Sequence, residues 1–265
     1  MPYTYRSFSE VDLFNQCERR YFKEKVQKHP TEENAYLLVG KTYHEALSAH
    51  IQDLPWLGLT LEMEEKLAKA GVNVDSMVTE MRANLARLGP SLELLGPPVT
   101  APERYFRNRS IGYKGVVDSV FANTPTVSPE GIMTGVTPGR CVIDWKVLSS
   151  NRRRSARDAA LSPQLALYSI EENVECAGFV EIPRDLEKPI KCRVVRYTEQ
   201  DKAHWREFLR STREAMFSRG RKEAAYKRCD RKANPLCSPL WCPFYGDCYP
   251  TIDDDKDEQP NTGQD

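Results

Sequence analysis

Residues 140–148 read RCVIDWKVL, and this stretch decides the predicted fold. Its β-branched and aromatic residues are typical of a buried β-strand. Side chains two positions apart in a strand project from the same face, so Asp144 and Lys146 lie together while Ile143 and Trp145 face the opposite, buried side. An acid and a base on an apolar strand cost free energy unless they have partners. The stretch therefore predicts a strand that presents a charged site.

Other elements are predicted on both sides of this strand from hydrophobic spacing and turn residues. Helices are expected from Ser9 to Val26, from Asn34 to Leu47, over 60–70 and 74–88, at 162–173 and at 199–228. Strands are expected at 103–106, 111–121, 177–182 and 190–196, with a loop at 122–139. Helices followed by a strand-rich centre with an internal helix, and then a last helix, indicate an α/β protein.

Composition excludes several classes of protein. Hydrophobic residues make up 40% of the chain and charged residues 29%, as in ordinary globular proteins. No apolar run approaches the ~18 residues of a membrane span. The first ten residues, MPYTYRSFSE, contain no apolar segment of the kind a secretory signal needs. The expected location is the cytoplasm, or the host cytoplasm if the chain is phage-encoded.

Charge is balanced over the whole chain but not along it. There are 38 basic and 38 acidic residues, yet the last thirteen residues contain six acids and one base. The remaining chain therefore has a formal charge of about +5, which fits a nucleic-acid partner without requiring one. Residues 251–265 are expected to form an acidic, disordered tail.

In a reducing compartment the eight cysteines are not expected to form disulfides, so their spacing bears on metal binding. Four lie within twenty residues (Cys229, Cys237, Cys242 and Cys248), and four are scattered (Cys17, Cys141, Cys176 and Cys192). The cluster predicts a metal site. A zinc site made locally from the four clustered cysteines stays open as an alternative, although the close Cys-x2-Cys pairs typical of zinc ribbons are missing.

Three further segments extend the charged site. They are GKTYH at 40–44, GVVD at 115–118 and QLALY at 164–168. If the strand that contains Asp118 pairs beside residues 140–148, two carboxylates and a lysine share one face and suit a hard divalent cation. Taken alone, His44 is an ordinary core histidine, and Gln164 and Tyr168 are ordinary neighbours on a helix. Their joint presence in this order favours a site.

In that order the segments resemble the PD-(D/E)XK nucleases, in particular the RecB-like iron–sulfur branch with CRISPR-associated and phage RecB-like exonucleases. The opening Ser9-x7-Cys17 helix and the terminal cysteines belong to the same resemblance. It implies one nuclease domain over residues 1–250 with a restriction-endonuclease-like core, a central mixed sheet flanked by helices. It also implies an N-terminal helical part, with a helical segment at about 51–98, and an iron–sulfur clasp formed by Cys17 and residues 229–250.

Roles for single residues follow from the resemblance. It implies that His44, Asp118 and Asp144 bind Mg²⁺ or Mn²⁺ and that Asp118, Asp144 and Lys146 are catalytic. It implies that Gln164 and Tyr168 line the path of the DNA. It implies a [4Fe–4S] cluster on Cys17, Cys237, Cys242 and Cys248, with Cys229 open as a replacement for Cys237. Independently, the arginine run Arg152, Arg153 and Arg154 beside the charged strand predicts phosphate contacts.

The predicted function is a metal-dependent deoxyribonuclease, an exonuclease on DNA ends or single strands, in phage DNA processing, recombination or CRISPR adaptation. DNA is the expected partner, with a second copy of the chain or an adaptation or recombination protein as further candidates. The sequence is also compatible with two alternative functions. One is a catalytically silent DNA-binding subunit, whose sequence would lack one of the metal-binding residues or the lysine. The other is a zinc-stapled nucleic-acid-binding module.

Overall fold

The computed structural model describes residues 5–30, 33–148, 155–220, 222–229, 237 and 242–248. In chain order the elements are β1 (Arg6–Ser7), α1 (Phe8–Gln16), α2 (Glu18–Tyr21), a π-helical segment (Phe22–Val26), α3 (Ala35–Ile51), α4 (Leu61–Lys69), α5 (Val74–Leu95), β2 (Arg104–Asn108), β3 (Tyr113–Val117), β4 (Ser119–Val127), β5 (Met133–Leu148), α6 (Ala156–Ala160), α7 (Pro163–Glu172), β6 (Cys176–Pro183), β7 (Lys191–Arg196), α8 (Glu199–Ser218), a 3₁₀ turn (Glu223–Ala225) and α9 (Tyr245–Cys248).

The chain is divided into two compact units. The first contains Met1–Phe8 and Glu32–Arg213, and the second contains Ser9–Thr31 and Glu214–Asp265. The predicted acidic tail at 251–265 lies outside the described residues.

The first unit contains two sheets. One has three strands in the order β1-β3-β2, and the other has four in the order β4-β5-β6-β7. In the four-stranded sheet β5 runs antiparallel to β4 and parallel to β6, and β6 runs antiparallel to β7. The predicted α/β class and the mixed sheet are thus confirmed, and β5 is an inner strand.

Three helices cover one face of the four-stranded sheet. Apolar residues recur in them at helical spacing, so each helix turns an apolar stripe toward the sheet. From α3, α4 and α5 these are Leu38, Val39, Tyr43, Leu47, Leu67, Met77, Met81, Leu85 and Leu88, and they pack against Phe121, Ile143, Trp145, Val180 and Ile182 of the sheet. The predicted N-terminal helical part is therefore the layer that supports β5.

The predicted loop at 122–139 is wrong. β4 continues to Val127 and β5 begins at Met133, so only a short turn separates two long antiparallel strands. The prolines that favoured a loop are tolerated because Pro125 lies in an edge strand and Pro138 lies outside the part of β5 that pairs with β6. Gly131 closes the turn with a φ of 85°.

Two helix ends also differ from the prediction. Helix α5 runs through Pro90 to Leu95, because the buried Leu88 and Leu95 anchor it in the core on both sides of the proline. Helix α8 ends at Ser218 instead of 228, where Gly220 adopts a left-handed φ of 65°, the usual conformation for a glycine that ends a helix. Among the described residues, no helix is long and apolar enough to cross a membrane.

A glycine in β6 gives a test of this packing. A Cβ at Gly178 would lie 2.8 Å from the backbone oxygen of Arg193, which cannot move without breaking the β6–β7 pairing. We expect Gly178→Ala to lower the free energy of unfolding by about 1–3 kcal/mol. Chemical denaturation followed by circular dichroism measures it. Gly135→Ala is the matched control, because nothing lies within 4 Å of a Cβ there. Equal effects of the two substitutions would contradict the register.

Candidate functional site

Asp118 lies where the predicted strand 111–121 breaks. β3 ends before it and β4 begins after it, so the chain leaves one sheet and enters the other at this residue. The pairing of β4 with β5 starts only at Ser119 and Ile143. The Asp118 side chain takes the place of the missing backbone partner, since its Oδ2 accepts the backbone N–H of Trp145 at 2.9 Å. The break therefore fixes a carboxylate beside the charged face of β5.

Asp144 and Lys146 project from one face of β5, as predicted, and Ile143 and Trp145 are buried in the core on the other. Asp144 is fully buried, and the Nζ atom of Lys146 lies 2.5 Å from its Oδ2. The same Nζ lies 5.7 Å from the ring centre of Phe179 on β6. Among the described residues, neither oxygen of Asp144 accepts a hydrogen bond. The Lys146 ammonium therefore compensates this buried charge by proximity.

His44 of α3 faces the same carboxylates. Its Nδ1 lies 3.6 Å from Oδ2 of Asp118. Burial lowers the pKa of His44, and the nearby Asp144 opposes this effect in part. Burial also raises the pKa of Asp118 well above its usual range, and the neighbouring Asp144 raises it further. The two carboxylates repel each other, and the imidazole beside them is neutral. A bound cation would relieve the repulsion between the carboxylates.

Gln164 and Tyr168 lie on α7 beside these carboxylates. The Gln164 side-chain amide donates to the Tyr168 hydroxyl at 3.0 Å. Burial raises the pKa of Tyr168, and Asp144 and Asp118 raise it further, which places the phenol in their field. The Tyr168 ring meets Phe106 edge to face with 6.1 Å between ring centres. Of the predicted helix pair, Tyr168 thus lies in the field of the carboxylates, and Gln164 is hydrogen-bonded to it.

The donor set suits a hard divalent cation, since it consists of two carboxylates and one neutral imidazole. Asp144 supplies buried oxygens without hydrogen bonds, which is a chemical fit for such an ion. In the described parts of the chain, however, no three His, Cys, Asp or Glu side chains converge closely enough to hold a metal ion. The contacts within the set are pairwise: His44 lies beside Asp118, and Lys146 lies against Asp144.

Glu103 is a member of this constellation that sequence reasoning missed. Its Oε1 lies 3.9 Å from Nδ1 of His44, and its backbone N–H donates to the carbonyl oxygen of Asp118 at 2.8 Å. In the sequence it appears only as the first residue of a predicted strand, and a single acid there has no motif. The backbone hydrogen bond between Glu103 and Asp118 places the Glu103 side chain beside the candidate site.

The second unit collects the cysteines predicted for the clasp. The predicted continuous helix from Ser9 to Val26 is interrupted at Cys17, which has an extended backbone (φ −159°, ψ 104°) and caps α2. Its Sγ accepts the backbone N–H of Arg20 at 3.4 Å. Next to it, Glu18 accepts the backbone N–H of Lys227 at 3.1 Å and Arg19 donates its backbone N–H to Lys227 at 3.0 Å. These bonds place residue 229 beside Cys17.

All five cysteines of this unit are neighbours. The Cys229 thiol is hydrogen-bonded to Cys237 and Cys17, and burial together with these thiols raises its pKa. Burial raises the pKa of Cys242, to which Cys17 and Cys237 contribute. Burial also raises the pKa of Cys248, with contributions from Cys17 and Cys242. The structure therefore brings the predicted set together and places Cys229 within it.

The other predicted residues divide into two groups. Cys141, Cys176 and Cys192 are buried in the four-stranded sheet, with Cys141 and Cys176 opposite each other in register. Arg152, Arg153 and Arg154, predicted to contact phosphates, lie outside the described residues.

Comparison with known proteins supports the fold. No family model matches the chain, and no curated protein matches it. The crystal structure of a protein from Eubacterium rectale named "Putative exonuclease" aligns with 85% of this chain and 84% of its own at a TM-score of 0.52 and 13% identity. The crystal structure of SSO0001 aligns with 88% of this chain and 95% of its own at 17% identity, but its TM-score of 0.36 decides nothing. The first likeness shows a shared fold.

Proposed function

We propose that the protein is a metal-dependent DNA nuclease of the PD-(D/E)XK superfamily. The observation that supports this most strongly is the meeting of Asp118, Asp144 and Lys146 at one end of β5, with His44 beside them. The segments that contain these residues resemble that superfamily, and the fold around them is like that of the Eubacterium rectale protein.

Each residue has a role in this proposal. His44, Asp118 and Asp144 would hold Mg²⁺ or Mn²⁺, which polarises a phosphate and lowers the pKa of water. Trp145 orients the Asp118 carboxylate through its backbone N–H. Lys146 would release Asp144 and donate to the attacking water or to a phosphate oxygen. A well-placed donor of this kind contributes about 3–4 kcal/mol to transition-state stabilisation.

The substrate follows from the resemblance and from the surroundings of the site. We assign DNA ends or single strands as the substrate, Gln164 and Tyr168 as residues along the path of the DNA, and Arg152, Arg153 and Arg154 as phosphate contacts. The corresponding processes are phage DNA processing, recombination or CRISPR adaptation.

The deciding experiment is a cleavage assay on end-labelled single- and double-stranded DNA with Mg²⁺, with Mn²⁺ and with EDTA. The proposal requires cleavage that depends on the metal and that disappears in Asp144→Asn. DNA binding without cleavage by the wild type would favour the rival, a catalytically silent binding subunit. The position of the shortest labelled products separates an exonuclease from an endonuclease.

A second part of the proposal concerns the cysteines of the second unit. We assign them to a structural [4Fe–4S] cluster on Cys17, Cys237, Cys242 and Cys248, with Cys229 as the alternative to Cys237. Support comes from the position of Cys17, which neighbours Cys229, Cys242 and Cys248. A zinc site made only from the four clustered cysteines would not use Cys17. Thiolate ligands of this kind suit iron–sulfur clusters. Because burial raises the pKa of three of these thiols, cluster binding must also release protons.

A further inference from the structure

The three-stranded sheet has one side that packs against α7 and one side that points away from it. On β2, Phe106 is buried, and Arg104 and Asn108 are hydrogen-bonded to glutamates of α7. Successive side chains of a strand point to opposite sides, so Tyr105 and Arg107 point away from α7. Both are exposed, Tyr105 to 50%. This second side of the sheet is its outer face.

Two residues of β3 and one residue before β1 complete the outer face. Lys114 and Val116 lie opposite Arg107 and Tyr105 in the antiparallel register, and side chains that are directly opposite share a side of the sheet. Val116 is 40% exposed. The ring centre of Tyr5 lies 5.9 Å from the guanidinium carbon of Arg107. The outer face therefore consists of two tyrosines, two basic residues and a valine.

The Arg107 guanidinium contacts both tyrosine rings. Its carbon lies 5.4 Å from the ring centre of Tyr105, and its Nε donates to the Tyr105 hydroxyl at 2.9 Å. Contacts between a guanidinium and aromatic rings hold these side chains in place, which lowers the entropy that a ligand must overcome on binding. A guanidinium that stacks on a ring can also donate its N–H groups to a phosphate.

The outer face carries positive charge that the described residues do not neutralise. Arg107 and Lys114 are directly opposite each other, and like charges in such a pair destabilise a sheet. Within the part of the chain that the structure describes, no acidic side chain forms an ion pair with either of them. A bound polyanion would relieve this repulsion. Aromatic rings beside cations are also the combination that binds single-stranded nucleic acid without sequence preference.

We propose that the outer face binds single-stranded DNA, with bases stacked on the two tyrosine rings and phosphates held by the two basic side chains. The inference rests on the proposed function for its ligand, and it narrows that ligand to an unpaired strand. Bases of a duplex are stacked on one another, so their faces cannot lie on tyrosine rings. β3 ends one residue before Asp118, so the outer face adjoins the candidate site along the chain.

Binding measured in EDTA, where a metal-dependent nuclease does not cleave, tests this inference. We expect the affinity of the full-length protein for labelled oligothymidine, followed by fluorescence anisotropy, to fall about 5-fold or more in Tyr105→Ala. Tyr105→Phe keeps the ring and is expected to keep the affinity. Arg107→Gln is expected to reduce the slope of log affinity against log salt concentration by about 0.7, the contribution of one phosphate contact on a single strand.

Exposed residues of the helical layer supply matched controls. Tyr36→Ala on α3 and Arg82→Gln on α5 remove the same side-chain types from other surfaces of the first unit, and neither should change the affinity or the slope. Because Tyr105 and Arg107 are exposed, the denaturation midpoints of their variants are expected to stay close to that of the wild type.

The binding assay and the cleavage assay can fail independently. Weaker binding by Tyr105→Ala with normal binding by Tyr105→Phe supports the inference, and if the wild type then cleaves no DNA, the proposed function alone fails. Wild-type affinity in both Tyr105→Ala and Arg107→Gln overturns the inference and leaves the proposed function standing when cleavage requires Asp144. Equal affinity of the wild type for single strands and duplex, or binding to neither, also overturns the inference.

Discussion

Asp144→Asn is expected to slow DNA cleavage by at least about 10²-fold and yet to raise the thermal stability of the metal-free protein. The loss of cleavage follows from the removal of a carboxylate that both the cation and Lys146 require. The gain in stability follows because Asp144 is a fully buried charge whose oxygens accept no hydrogen bond from described residues. Initial rates on end-labelled DNA and thermal unfolding in EDTA measure the two effects.

Substitution of Lys146, the partner of Asp144, is expected to lower the stability of the protein instead of raising it. The Asp144 side chain is 1% exposed and that of Lys146 is 24% exposed, so only the lysine can turn to solvent when the pair is broken. Lys146→Met leaves the carboxylate buried without a counter-charge, at a cost of about 3 kcal/mol. Glu45→Gln, an exposed acid next to His44 on α3, is the control for both variants. Equal stability changes in Asp144→Asn and Lys146→Met would show that the pair is not buried as described.

Cys17→Ser is expected to remove the iron from the protein and to lower its melting temperature. Serine preserves the cap of α2, because its hydroxyl accepts the backbone N–H of Arg20 as the thiol does. The substitution therefore isolates the role of the thiolate as a ligand. Protein purified without oxygen should be brown and contain about four irons per chain. Iron analysis and the visible spectrum of the variant measure the loss.

Three further variants give the controls and the contrary outcome. Cys176→Ala removes a buried thiol from the first unit and should keep the iron. Comparison of Cys229→Ser with Cys237→Ser decides which of the two is the ligand, since the Cys229 thiol is hydrogen-bonded to both Cys237 and Cys17. Zinc in place of iron in the wild type would contradict the [4Fe–4S] assignment and leave the nuclease proposal untouched.

Periodicity predicted the parts of the fold that depend on local sequence. The alternation around Asp144 and Lys146 located β5, and the apolar spacing after Asn34 located α3, which begins one residue later. Both succeed because burial on one side of an element imposes a repeating pattern on its sequence.

Features set by contacts between distant segments could not be predicted in this way. The prolines at 125 and 138 favour a loop locally, but their edge positions in the sheet permit strands. Pro90 marks a helix end locally, but packing of Leu88 and Leu95 carries α5 through it. Glu103 enters the site only through its hydrogen bond to Asp118, and no spacing in the sequence encodes that bond.

The hydrogen bond from Trp145 to Asp118 has a consequence for which ions the site would accept. Oδ2 of Asp118 is occupied by the Trp145 N–H, and Oδ2 of Asp144 is in contact with the Lys146 ammonium. In the proposed metal site, Asp118 would then offer its Oδ1 and bind in a monodentate manner, whereas Asp144 would be released by Lys146. Calcium favours six to eight oxygens and often takes both oxygens of a carboxylate, whereas magnesium favours single oxygens in a strict octahedron. In the proposed site, the backbone N–H of Trp145 in β5 would thereby favour magnesium over calcium through the denticity of Asp118.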